Sequence, residues 1–148
     1  MPATNLLLIM YVSIYTIGKP KEESEMPSRT RVAEFISYVE AGKYVEAISD
    51  FYAETAFMKE NLAEPRVGRE NLIRHERAVL AGLAQMRTER VGPVLVDGDR
   101  VSINWVFEMT TRDGKKRLFD ELALQKWSGD RIVEEQFYYD PAQLKPAS

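Results

Sequence analysis

This chain predicts an α+β domain in which a cone-shaped, curved antiparallel sheet wraps around three N-terminal helices. Three observations lead there. Apolar residues recur at helical spacing in the first half and alternate in the second. The turn signals Asp97-Gly98-Asp99, Asp113-Gly114-Lys115 and Ser128-Gly129-Asp130 cut the second half into strand-length pieces. And a length of 148 residues holds one domain of ordinary size but not two.

Residues 1–27 differ from the rest. Leu6 to Ile17 is apolar but about 12 residues long, short of the roughly 20 a bilayer-spanning helix needs, so no membrane span is expected. No Lys or Arg precedes it and no small-residue cleavage site follows. An arm that packs on the domain or a partner, a translation start at Met26 and a weak export signal all remain open, the first two preferred. Residues 18–27 are polar and proline-flanked, as a linker is. The domain is expected over 28–142, with 143–148 as a tail.

Ser28 can cap a first helix, in which Val32, Phe35, Ile36 and Val39 form one apolar stripe and after which Gly42 can adopt the left-handed conformation. A second helix is expected over residues 44–52, a short strand at 56–58, and a loop at Glu64-Pro65-Arg66, because proline pushes its predecessor out of the helical region. A third helix is expected over 69–85, with Leu72, Glu76, Val79, Leu80 and Leu83 on one side. Four strands follow, at about 88–96, 100–110, 116–127 and 131–139. In the second of them Val101, Ile103, Trp105, Phe107 and Met109 share one face.

Composition excludes several functions. Without cysteine there is no disulfide, thiolate metal site or cysteine nucleophile, which fits a reducing, cytoplasmic setting. The net charge of -3 argues against nucleic acid, and Arg66, Arg69, Arg74 and Arg77, interleaved with acids, read as a solvated face. No H-x-x-x-H or similar spacing points to a metal, and no G-x-S-x-G to a serine nucleophile.

The strings FISYVEAGKYVEAISDFYAETAFMKEN, EPRVGRENLIRHE and LALQKWSGDRIVEEQFYYDP resemble the nuclear-transport-factor-2-like superfamily, in its SnoaL-like and ketosteroid-isomerase-like branch. The resemblance implies an α+β barrel with a pocket in its open mouth, no cofactor, and a homodimer formed through the convex sheet face, where Val106 lies. A ketosteroid isomerase has a carboxylate base at the position of Glu60. Its two oxyanion donors fall on Phe35 and about Ala123, neither of which can donate, so that mechanism is not expected. SnoaL-like cyclases use an Asp and a His from the meander strands, and this chain has no histidine there.

What remains is another set. By the resemblance, His75 and Glu76 on the third helix point toward the pocket. Glu76 is in the apolar stripe, so it needs a partner, such as His75, Tyr52, Tyr38 or an inward sheet residue, or else a raised pKa. Glu121, Gln125 and Trp127 share a strand face, as do Glu135, Phe137 and Tyr139. The expected site has Glu60 and His75 as catalytic groups, with Phe35, Tyr52, Glu76, Trp105, Glu121, Glu135, Phe137 and Tyr139 around a small apolar molecule. Glu60 would abstract a proton beside a carbonyl while His75 or a tyrosine hydroxyl polarises the oxygen. The plainer alternatives are a solvated Glu60, a surface His75 and aromatic residues that only wall the pocket. A strand slip of one residue would turn Glu121 and Glu135 outward. Two functions therefore stand: a cofactor-independent isomerase, cyclase or hydrolase, and a non-catalytic ligand-binding or regulatory domain of the same fold.

Overall fold

The computed structural model describes residues 26–145. The apolar segment at 6–17 and most of the linker therefore lie outside the described residues. Ser28 caps α1 (Arg29–Glu40), its hydroxyl accepting from the Arg31 N–H at 3.0 Å. Val32, Phe35 and Val39 are its buried stripe, and Gly42 follows with φ +74°. Then come α2 (Tyr44–Phe51), β1 (Tyr52–Glu60), β2 (Arg66–Val67), α3 (Arg69–Ala81), β3 (Leu83–Asp97), β4 (Arg100–Thr111), β5 (Lys116–Ser128) and β6 (Arg131–Tyr138). A 3-10 turn, Pro141–Leu144, ends the described chain. Gln143 ties this turn to β5 by accepting from the Asp120 N–H and donating to the Asp120 carbonyl.

The strands form one sheet in the order β2-β1-β6-β5-β4-β3. Its β3–β6 meander is antiparallel, but β1 and β6 run parallel. The all-antiparallel sheet expected from the sequence is thus mixed, and it stays open, with β2 and β3 at its edges. Three boundaries also move. The third helix ends at Ala81 rather than 85, because residues from Leu83 onward pair with β4, Leu83 opposite Thr111 and Gln85 opposite Thr110. Tyr52 leaves the second helix to start β1. Arg66, expected in a loop, pairs with Met58, and Val67 beside it with Phe57. Proline pushes its predecessor toward extended conformations, so the effect that denies a helix here suits an edge strand just after it.

The helices pack against one sheet face. Val101, Ile103 and Trp105 of β4, Ala123 and Trp127 of β5 and Ile132 of β6 are buried there with Phe35, Ile48, Phe51 and Leu72. Phe35 is the hub. Its ring meets Phe51, Trp105 and Trp127 edge-on at centroid distances of 5.4, 6.5 and 6.2 Å, each such pair contributing about 1 kcal/mol beyond burial. Apolar packing thus seals one end of the sheet. Toward the other end the helices and sheet diverge and leave a cavity.

Candidate functional site

That cavity is about 410 Å³ in volume, within the range of small-molecule sites. Phe35, Tyr52, Glu60, His75, Glu76, Trp105, Glu121, Glu135, Phe137 and Tyr139 all line it. Met58, Arg66, Met86, Phe107, Met109, Phe119 and Leu144 complete most of its wall. Alternation along the strands explains the convergence. Inward residues of β4, β5 and β6 meet in register, with Trp105 opposite Glu121 and Gln125 opposite Glu135.

The mouth is built where β1 ends. Asn61 turns the chain with φ +47°, a left-handed conformation that asparagine tolerates better than most residues. Its backbone N–H donates to the Phe137 carbonyl at 2.8 Å, and its side-chain oxygen accepts from the Tyr139 N–H at 3.1 Å. This clamp sets Tyr139 beside Glu60. The Tyr139 hydroxyl donates to Glu60 Oε2 at 2.8 Å, and Arg66 Nη2 donates to Oε1 at 2.5 Å. Burial works to raise the pKa of Glu60. The hydrogen bonds from Arg66 and Tyr139, aided by the charges of Arg66 and His75, outweigh it and hold the carboxyl below its usual range. Arg66 is therefore not part of a solvated face, as its neighbours in sequence suggest. Arg69 is also engaged, donating to the Tyr52 carbonyl at 3.2 Å, while Arg74 and Arg77 are exposed as expected. Tyr139 is pushed up to about 12 by burial and by its bond to Glu60.

His75 is exposed at the rim, lining the cavity without a hydrogen bond among the described residues. Glu76 makes no hydrogen bond to His75, Tyr52 or Tyr38. Of the two outcomes open to it, the structure shows the shifted carboxyl, raised by burial and partly offset by Arg66.

The inner end carries a second polar group. Glu135 is 2% exposed and Tyr52 2%. The Tyr52 hydroxyl donates to Glu135 Oε2 in a short contact, and Gln125 Nε2 donates to Oε1 at 2.7 Å. Behind them Trp127 Nε1 donates to Gln125 Oε1 at 3.0 Å. Burial raises Glu135 to about 7, against the pull of those two donors. Glu121 is pushed further, to about 8, by burial and then by the charges of Glu135, Glu60 and Glu76. Near neutral pH it is largely a neutral acid with a proton to donate. A carboxylic acid donor is thus present two residues before Ala123, on the same strand face, although Ala123 itself cannot donate. Among the described residues no three His, Cys, Asp or Glu side chains are arranged to hold a metal ion.

Residues 32–135 match the family model described as a SnoaL-like domain. The chain belongs to the SnoaL-like family. Solved structures of related fold agree. An NTF2-like protein of unknown function from Burkholderia pseudomallei is 16% identical, with a TM-score of 0.67 over 78% of this chain and 92% of that one. A putative SnoaL-like polyketide cyclase from Mesorhizobium loti is 22% identical, with a TM-score of 0.63 over 74% and 97%. TerC, co-crystallised with polyporic acid, is 14% identical, with a TM-score of 0.66 over 78% and 92%. No curated protein matches the sequence. In this SnoaL-like chain no described helix is long and apolar enough to cross a membrane.

Proposed function

We propose that this SnoaL-like protein binds a small, largely apolar carbonyl compound and moves a proton on it without a cofactor. One observation carries the reading: two carboxyls lining one cavity are driven in opposite directions, Glu60 down and Glu121 up to about 8. A pair separated in this way supplies a base and an acid at the same pH. Glu60, ionised, takes a proton beside the carbonyl. Glu121, neutral, donates a hydrogen bond to the oxygen as charge develops there. Tyr139 and Arg66 orient Glu60, and His75 at the rim adds to the field that keeps it ionised. The co-crystallisation of TerC with polyporic acid supports a small organic ligand for the fold.

The test is exchange of the proton beside a carbonyl, followed in deuterated water over a panel of small apolar ketones. The chain accelerates exchange for at least one of them. Glu60→Gln lowers that rate by about a hundredfold or more, the usual scale of general-base loss, and His75→Ala lowers it less. Exchange that survives both Glu60→Gln and Glu121→Gln unchanged ends the proposal.

A second reading, a non-catalytic binding domain, is favoured by one detail. Both oxygens of Glu60 already accept hydrogen bonds, which weakens it as a base. Tight binding of a panel compound with no exchange at any pH would select it. The same proposal includes a homodimer through the convex face. Leu122 and Tyr138, paired across β5 and β6, are each 42% exposed there. Sedimentation at high concentration tests it, and a monomer refutes it.

A further inference from the structure

The hydrogen bonds at the inner end of the cavity have a fixed direction, and that direction constrains the ligand. An indole N–H can only donate. Trp127 therefore requires the Gln125 atom facing it at 3.0 Å to be the oxygen. The Gln125 amide nitrogen is then the atom that faces Glu135, at 2.7 Å. The Tyr52 hydroxyl spends its one proton on the other Glu135 oxygen. With Glu135 ionised, the cavity wall formed by Tyr52 and Glu135 thus offers lone pairs and no free proton. Each carboxylate oxygen has a second acceptor site, and the phenolic oxygen has lone pairs of its own. Trp127 and Gln125 do not line the cavity; they stand behind Glu135, in the buried layer.

We infer that the inner wall of the cavity is a docking point for a hydrogen-bond donor on the ligand, a hydroxyl or a protonated nitrogen received by Glu135, and that Gln125 and Trp127 are positioning residues that fix this polarity. The inference rests on the small-molecule pocket proposed above and states what its occupant carries: an apolar body, with a donor at the end that enters first. A ligand whose leading group only accepts leaves the Glu135 lone pairs facing its own and binds weakly.

Calorimetric titration of the full chain with three bicyclic aromatic probes tests it, at about pH 8, above the value near 7 to which Glu135 is pushed. The probes are 2-naphthol, 2-naphthylmethylammonium and 2-methoxynaphthalene, which share a body and differ in the leading group. At least one of the first two binds about tenfold or more tightly than the methoxy compound, the scale of a hydrogen bond to a charged group. Their order tells hydroxyl from ammonium. Glu135→Gln shrinks the preference to about twofold, and Trp127→Phe, which removes the donor that pins the Gln125 oxygen, shrinks it less. Trp127→Phe, behind the cavity wall, leaves the affinity for 2-methoxynaphthalene within about twofold, an outcome that loosened packing alone does not give. If the methoxy compound binds as tightly as both donors in the unaltered chain, the inference is overturned and the pocket stands. If no probe binds, both fall. The ranking in the unaltered chain decides the matter even where a variant fails to fold.

Discussion

The two ends of the cavity treat a carboxylate in contrasting ways. At the mouth, Glu60 is met by a guanidinium and a phenol, is half-buried, and stays ionised. At the inner end, Glu135 also accepts two hydrogen bonds, but from neutral donors and in full burial, and it is pushed up to about 7. Equal numbers of donors give opposite shifts. A positive charge nearby and access to water decide the sign, rather than the count of hydrogen bonds. Glu121, with no cation lowering it, and Glu76, where Arg66 only partly offsets burial, go the way of Glu135.

The contrast breaks most visibly in catalysis. Glu60→Gln costs about a hundredfold or more in deuterium exchange, whereas Gln125→Leu, behind the inner wall, costs less than about tenfold in the same assay. Stability inverts that ranking. Glu135→Ala leaves the buried Tyr52 hydroxyl and Gln125 amide without their acceptor and lowers stability by about 2–4 kcal/mol in denaturant titration, while Glu60→Ala at the mouth costs about 1 kcal/mol.

Acidity separates the ends further. Unfolded, Glu121 and Glu135 titrate near 4.5; folded, they titrate near 8 and 7. Between about pH 5 and 7 the folded chain holds more protons than the unfolded one, so stability falls as pH rises, and Glu121 continues the fall through about pH 8. Thermal unfolding across that range shows the decline. Glu121→Gln flattens it by up to about 1 kcal/mol per pH unit. Glu60 has the opposite sign: its contribution is present above its unfolded value and is lost on acidification. The smallest effect belongs to Arg66→Met. It removes the cation at the mouth, raises the Glu60 pKa, and moves the acid limb of the exchange profile upward.

Much of this arrangement was legible in the residues. The Ser28 cap, the Phe35 stripe, the Gly42 turn and the inward face Val101 to Met109 follow from spacing and turn chemistry, and these place the cavity. Alternation likewise put Glu121 with Gln125, and Glu135 with Tyr139, on inward faces. Partnerships across the sheet were harder to read. Nothing in the period of β1 or β6 says that they lie side by side and parallel, so the pairing of Glu60 with Tyr139 was hidden. Arg66 looked solvated because its neighbours in sequence are charged, and its real neighbour, Glu60, is reached only when β2 folds back on β1. The acid at Glu121 was overlooked as a donor because a carboxyl's proton depends on surroundings that a sequence does not display.

The parallel pairing of β1 with β6 has a consequence for how the molecule is made. Glu60 stands opposite Phe137 across that pair, and the intervening chain holds every other strand. Closing so long a loop is entropically costly until the meander exists to reward it. The mouth is accordingly a late product of folding: a chain stopped short of its last strand lacks the neighbour that seats β1, and Glu60 meets Tyr139 only once the whole sheet is complete.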